Sequence, residues 1–243
     1  MIAPVSDSII LFNNIIVCGG IELEIAHKKY HRKHLYLNIE DHEVPHLQSI
    51  VFEELIEKHR KPLQIMVPSD AEHLIGILEQ SGFGLKRRCY EMDVCPADLI
   101  SPLSNDFTAL SEARRGAADY EECAGMMYAY YAATHAPINP LTATRADFDE
   151  ILPDTVLYIT KDDQINSAAF IDGNEIAYIF SYTQDSFFQF ADSLLSYMFG
   201  RFDRIVFEAD DSDWAATKLK EMFFVLPGIS YDTYIKPVRE SGV

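Results

Sequence analysis

No apolar run in the 243 residues is long enough to cross a bilayer, and the first residues, MIAPVSDSII, carry Asp7 where a secretory leader carries basic residues. The expectation is a cytoplasmic protein with no membrane association. Paired cysteines are also missing. Cys18, Cys89, Cys95 and Cys123 are widely spread and none forms a C-x-x-C, so they read as buried or free thiols rather than disulfide or zinc ligands. Positive charge is scarce: 20 Lys and Arg against 38 Asp and Glu leave a formal net charge of −18. That balance opposes nucleic acid and anionic membranes, and it favours a cation as any charged substrate.

The chain is 48% hydrophobic, enough at this length for one large core or two modest ones. Charge is unevenly shared. Residues 1–96 carry 10 basic and 14 acidic side chains, whereas residues 97–243 carry 10 and 24. The asymmetry suggests two units.

Short β-type runs at Ser8–Phe12, Ile15–Cys18 and Ile21–Ala26 are separated by Asn13-Asn14 and Gly19-Gly20, which tolerate tight-turn geometry and predict a small meander. The basic stretch HKKYHRKH (27–34) leads into a strand at Leu35–Ile39. A helix is expected from about Pro45 to Lys58, then a strand at Leu63–Val67. Ser69 or Asp70 should cap a second helix that Gly82 ends, before a strand at Leu85–Val94. The proline-bearing break Cys95–Asp98 with Ser101-Pro102 reads as a linker, giving domains 1–96 and 104–243.

After a short run at Phe107–Leu110, Asp119 should cap a helix to about Tyr131 that turns Cys123, Met126, Met127 and Tyr130 inward. Thr134–Leu141, with two prolines, reads as a loop, and Thr144 with Asp147 as a capping box for Arg145–Leu152. Strands at Thr155–Thr160, Ile165–Ile171 and Glu175–Tyr182 form a meander. The last passes through Thr183–Ser186 into a helix over 186–199, a tight strand-to-helix turn of the kind that holds an anion or phosphate. A strand at Arg204–Ala209, a helix from Ser212 to near Met222 and a strand at Ser230–Ile235 complete the chain.

The tails of the two halves agree element for element, strand, helix, strand, helix, strand, over 35–94 and 175–235. Such repetition implies two copies of one fold, the first lacking the helical lead-in of the second. IVFEADDSDWAATKLKEMFF (205–224) and LQIMVPSDAEHLIGILEQSGFGLKRRCYEMDV (63–94) resemble the strand, acidic residue, Ala/Leu helix and final strand of the GNAT acyltransferase superfamily. The resemblance implies a mixed α+β fold in two copies, the N-terminal one truncated.

In that family acyl-CoA lies beside the strand matching Glu175–Tyr182. The resemblance therefore implies cofactor contacts at Ile179, Phe180, Ser181 and Tyr182, and at Gln184, Ser186 and Phe187 in the following turn. The family's pyrophosphate loop is Q/R-x-x-G-x-G/A, because phosphate oxygens must approach backbone N–H groups with no Cβ in the way. Here Phe187 and Gln189 stand in place of the glycines, and Asp185 adds negative charge. The corresponding first-copy turn, Glu40–Pro45, has no glycine and three carboxylates. Lys28, Lys29, Arg32 and Lys33 read either as a solvated loop or as a phosphate contact.

Acyl transfer to an amine needs a base for its proton and an acid for the leaving thiolate. Glu208, clustered with Asp210 and Asp211, reads either as the base, desolvated enough to raise its pKa, or as part of a solvated strand end that caps the next helix. Tyr182 is the other catalytic candidate, and His135, Tyr178 and Asp210 are candidate acceptor contacts. Tyr178 and Tyr182 share a strand face and also read as core aromatics. The family's acid, a tyrosine on the helix after the acidic strand, is matched by Leu219 or Lys220, and by Leu78 in the first copy. No metal is expected: His27 and His31 are four apart but flanked by Lys and Arg. The resemblance implies an acetyl-CoA-dependent N-acetyltransferase with a small cationic amine acceptor, monomeric or homodimeric. The alternative is a catalytically silent module of the same fold that binds a ligand or protein partner.

Overall fold

The computed structural model describes residues 10–18, 21–40, 42–104, 108–224 and 228–238. In chain order they form β1 (Ile10–Cys18), β2 (Ile21–Lys28), β3 (Leu35–Asn38), α1 (Ser49–His59), β4 (Leu63–Pro68), α2 (Glu72–Gln80) and β5 (Gly84–Val94). There follow β6 (Ser111–Arg114), α3 (Ala118–His135), α4 (Arg145–Asp149), β7 (Thr155–Lys161), β8 (Gln164–Asp172), β9 (Glu175–Ser181), α5 (Gln184–Phe199), β10 (Ile205–Asp210), α6 (Trp214–Lys220) and β11 (Ser230–Lys236). The chain divides into two compact units. One comprises Met1–Arg88, His135–Thr144 and Ser230–Val243, the other Cys89–Thr134 and Arg145–Ile229.

In the first unit β1, β2 and β3 run antiparallel, β3 pairs parallel with β4 from Leu35↔Leu63 to Leu37↔Ile65, and β4 pairs antiparallel with β11. The parallel step follows from the connection, since α1 and its flanking turns supply the crossover that two parallel neighbours require. Alternation along the strands sends Leu35, Leu37, Leu63, Ile65 and Val67 to one face, where they pack with Phe52 and Leu55 of α1, Leu78 and Phe83. Phe83 meets Phe52 edge to face at 4.9 Å. Gly82 ends α2 at φ +85°, with Phe83 N–H donating to Leu78 C=O at 3.0 Å, so the expected glycine stop is present.

In the second unit Cys89–Val94 of β5 pairs antiparallel with β10, β10 pairs parallel with β9, and β9, β8, β7 and β6 follow as an antiparallel meander. Phe187, Phe190, Leu194 and Met198 of α5 and Ala215 and Leu219 of α6 pack on one face, against Ile179, Ile205, Phe207, Met92 and Val94. Aromatic pairs mark the other face: Tyr120 of α3 meets Phe170 of β8 at 5.5 Å, and Phe148 of α4 meets Tyr178 of β9 at 5.8 Å.

Several local expectations are corrected. Asn13-Asn14 is no turn: both residues lie inside β1, opposite Ala26 and Ile25, because cross-strand pairing outweighs what the dipeptide tolerates locally. The expected turn at Gly19-Gly20 lies outside the described residues, as does Phe107 in the expected run at Phe107–Leu110. Pro45 sits in a short 3₁₀ turn, Val44–His46, and α1 starts after two extended residues, Leu47 and Gln48. Ala71, not Ser69 or Asp70, precedes α2, and the Ser69 hydroxyl donates instead to Asp232 Oδ1 at 2.8 Å. Asp119 lies within α3, where it accepts from the Tyr158 hydroxyl, and α3 runs on to His135. The cap of α6 is Asp213 rather than Ser212, accepting from Ala215 N–H at 2.9 Å and Ala216 N–H at 3.2 Å. The expected boundary also assigns the last strand differently: β11 pairs with β4 in the first unit, and the second half of β5 with β10 in the second.

Candidate functional site

The site begins where β9 leaves β10. The two parallel strands pair only at Glu175↔Val206 and Ile176↔Phe207. On the other edge of β9 the register with β8 skips a residue, Phe170 pairing with Tyr178 and Ile171 with Ile176, so Ala177 is bulged. Bulge and parting coincide within two residues. Beyond them, Tyr178–Ser181 keep their ladder to β8 while their other edge is turned from β10.

Side chains flank the opening on both faces. From α3, Tyr130 reaches across it: its ring lies 6.1 Å from Phe180 on β9, and its hydroxyl donates to Asp213 Oδ1, just beyond β10, at 2.6 Å. Burial, and next the Asp213 carboxylate, raise the Tyr130 pKa well above the usual phenol range. Burial also raises the Asp213 pKa, although the hydrogen bonds it accepts pull the other way. On the opposite face Phe187 meets Trp214 at 5.5 Å, joining the first turns of α5 and α6.

The turn into α5 is held by its own hydroxyls. Thr183 is the cap, its Oγ1 accepting from Ser186 N–H at 3.4 Å and lying 2.6 Å from Ser186 Oγ. Ser181 Oγ donates to Thr183 C=O at 3.1 Å and lies 2.7 Å from Ser167 Oγ. Ser186 is buried and Phe187 has no solvent exposure, whereas Gln184 and Asp185 are exposed. Asp185 thus places a carboxylate beside the positive end of the helix dipole, where an anionic ligand would compete with it. The expected phosphate cradle has no glycine to open it, and Phe187 belongs to the core.

The remaining expected residues fall as follows. Tyr178 is packed against Tyr131 and Phe148, at 6.3 and 5.8 Å, and is not open to a ligand over its whole ring. Tyr182 is 54% exposed and lines a cleft of about 410 Å³ with Met126, Asn166 and Glu122, past the end of β9. A larger cleft of about 540 Å³, lined by Arg114, Arg115 and Arg201, adjoins the opposite end of β9 at Asp172–Gly173. Glu208 is exposed rather than desolvated, because alternation in β10 turns it away from the core that holds Phe207 and Ala209. Cys89 Sγ donates to its Oε2 at 3.9 Å. Asp210 holds the following turn, its Oδ1 accepting from Ser212 N–H at 2.9 Å and Ser212 Oγ at 2.6 Å. His135 does not lie in the expected Thr134–Leu141 loop. It ends α3, is 9% exposed, and belongs to the first unit, where Arg87 Nη1 donates to its Nε2 at 3.0 Å.

Two groups escaped the sequence reading. Tyr130 has a helical position that announces only an inward face, and its partner Asp213 is 83 residues away. Glu91 stands directly opposite Glu208 across β5 and β10, which makes this patch of the sheet doubly acidic. Among the described residues no group of three His, Cys, Asp or Glu could hold a metal ion, and no helix is long and apolar enough to cross a membrane.

No family model and no curated protein sequence matches the chain. Solved structures do. A GCN5-related N-acetyltransferase from Sphaerobacter thermophilus is similar at TM-score 0.54 and 13% identity, over 91% of this chain and 78% of that one. Another from Kribbella flavida is similar at TM-score 0.52 and 14% identity, over 93% and 90%. A functionally unknown conserved protein from Staphylococcus epidermidis is similar at TM-score 0.53 and 12% identity, over 97% and 98%. The chain therefore has the fold of the GCN5-related N-acetyltransferases.

Proposed function

We infer that the second unit binds acetyl-CoA along the parted edge of β9 and passes its acetyl group to the amine of a small cationic acceptor. The observation that carries this reading is the parting of β9 from β10 at Ile176/Phe207, beside the bulged Ala177. A strand edge turned from its neighbour offers backbone donors and acceptors to an extended amide-bearing arm, as strand addition does. Acetyl-CoA supplies the thioester. The backbone of Ile179, Phe180 and Ser181 is the stretch that would hold its arm, and Gln184 is the exposed side chain at the start of α5. Glu208 and Glu91, opposite each other across β10 and β5, would attract a cationic amine, and we assign exposed Glu208 the role of taking its proton. Tyr130, whose ring lies beside Phe180 and whose hydroxyl is held by Asp213, is the phenol we assign to return a proton to the departing thiolate.

One observation favours a second reading, a silent module of the same fold. Phe187 and the Thr183–Ser186 hydroxyls fill the turn that a pyrophosphate would occupy. Calorimetric titration with acetyl-CoA and desulfo-CoA separates the two. Saturable heat and a rise in melting temperature support the enzyme reading, and Tyr130→Phe should then lower turnover while the binding heat persists. Absence of both heat and thermal shift at millimolar ligand leaves only the silent module.

A further inference from the structure

Within the first unit, the sheet face opposite the Phe52 and Leu55 core collects cationic and imidazole groups. Lys28, at the end of β2, lays its Nζ 4.7 Å from the ring centroid of Tyr36 on β3. Arg87, on the first half of β5, approaches from the other side, its Nε donating to Thr233 Oγ1 at 3.5 Å and its Nη1 to His135 Nε2 at 3.0 Å. The His31 ring stands 5.7 Å from that of His135 and donates from Nδ1 to Pro140 C=O at 3.4 Å. Between them Asn139, 2% exposed, gives one N–H to the Tyr36 hydroxyl, and its Oδ1 has no hydrogen-bond partner. An amide's two ends are alike in shape. Rotated by half a turn, Asn139 accepts from Tyr36 and leaves an N–H donor in that buried position.

The basic run of the sequence is therefore divided. Arg32 and Lys33 point to solvent, while Lys28 turns inward toward Arg87. Burial and Arg87 lower the Lys28 pKa, and burial, then His135, push His31 down to about 4. Each of these influences disfavours positive charge, and a bound anion would offset them all.

We propose that Lys28, Arg87, His31, His135, Tyr36 and Asn139 form a binding site for an oxyanion, the phosphate or carboxylate group of a small ligand. Lys28 and Arg87, both half-buried, supply the charge and the route in, and Asn139 with Tyr36 supplies neutral donors at its floor. The site stands apart from the acetyl-CoA reading, which concerns the second unit.

The test uses the full chain at constant ionic strength set with sodium chloride, with inorganic phosphate and glutarate as probes. Calorimetry should give saturable binding below about 20 mM for at least one of them. The better probe names the oxyanion. In the proton NMR spectrum the ring signals of His31 and His135 should move with the same isotherm, and those of exposed His73 on α2 should not. Lys28→Gln and Arg87→Gln should each weaken binding about tenfold or more, with unchanged circular dichroism. If one variant fails to fold, the other and the histidine signals still decide. No saturable binding of either probe overturns the proposal. So does binding that leaves His31 and His135 unmoved or is indifferent to both substitutions, which marks an adventitious ion only.

Discussion

Phe187 separates the two roles that its position allows, a cofactor contact at a strand-to-helix turn or a core side chain, and its neighbour Phe188 is an internal control. Phe187 has no solvent exposure and packs on Trp214 at 5.5 Å, while Phe188, one residue on in the same helix, is 49% exposed. Truncating a fully buried Phe to Ala costs about 3–5 kcal/mol, and the aromatic pair with Trp214 places this site in the upper half of that range. Alanine's better helix propensity returns about 0.5 kcal/mol in both variants. Phe187→Ala should therefore cost about 3.5–4.5 kcal/mol and Phe188→Ala less than about 1 kcal/mol, a difference on the order of 100-fold in the folding equilibrium. Trp214 is the only tryptophan in the chain, so its fluorescence during urea unfolding reports the unit that contains both residues. With equal slopes, the midpoints give the difference directly. If the two variants unfold within about 1 kcal/mol of each other, Phe187 is not a packed core residue and the turn into α5 is open.

Other expectations follow from the same geometry. Gly76 lies inside α2 with nothing within 4 Å of an added Cβ, whereas Gly82 sits at φ +85° beside Lys236 Nζ. Gly76→Ala should stabilise by about 0.5–1 kcal/mol and Gly82→Ala destabilise by about 1–2 kcal/mol, opposite signs in one thermal-unfolding series. Asp232, 1% exposed, is held by Arg88 at 2.5 and 2.7 Å and by Ser69 at 2.8 Å, and its pKa is lowered first by Arg88. A depressed native pKa means stability that is complete above the ordinary carboxylate value and lost as pH falls through the native one. Arg88→Gln should thus cost about 1–3 kcal/mol at pH 7, with the gap to the parent protein narrowing in acid denaturation below about pH 4. Tyr130→Phe leaves Asp213 one donor short and should cost about 1–3 kcal/mol, and a cycle with Asp213→Asn should return a coupling of at least about 0.5 kcal/mol. Residues 1–96 and 97–243 expressed separately should each fail to give a cooperative thermal transition and should recover one when mixed, since each piece carries a strand that pairs in the other unit. A cooperative transition in either piece alone contradicts that assignment.

What the chain declares locally is legible in it, and what it settles by distant pairing is not. Alternation in Leu35–Leu37 and Leu63–Val67, the glycine that ends α2 and the three-strand meander over Thr155–Ser181 can all be read from neighbours in sequence. The same pattern says nothing about partners. Met92 and Val94 are apolar at alternate positions whether their strand pairs with β4 or β10, and only the assembled sheet sets them opposite Phe207 and Ile205. Asn13-Asn14 and Ser69 fail for a related reason: each has a local preference, for a turn or a cap, that a long-range hydrogen bond overrides. The candidate site divides along this line. Its strand, its turn and its missing glycines stand in the sequence, whereas Tyr130 with Asp213, and Glu91 beside Glu208, exist only through contacts of more than 80 residues' separation.

Pairing elsewhere in the sheet explains why a parted strand pair can persist. Parallel strands that stop pairing after two residues leave backbone groups on both edges, which costs free energy unless other elements restore packing nearby. In the second unit β10 is paired over six residues on its other side by Cys89–Val94, and Tyr130 and Phe187 pack the two faces of the opening. In the first unit β4 is paired over six residues by β11, with Tyr234 buried in the core, and the parallel contact to β3 again covers only three. The long antiparallel ladder fixes the second parallel strand in each case, so the first is free to diverge. The opening is thus a consequence of where the last strands pair, and substitutions that weaken the β5 to β10 ladder at Met92 or Val94 should close or collapse it before any residue that lines it is touched.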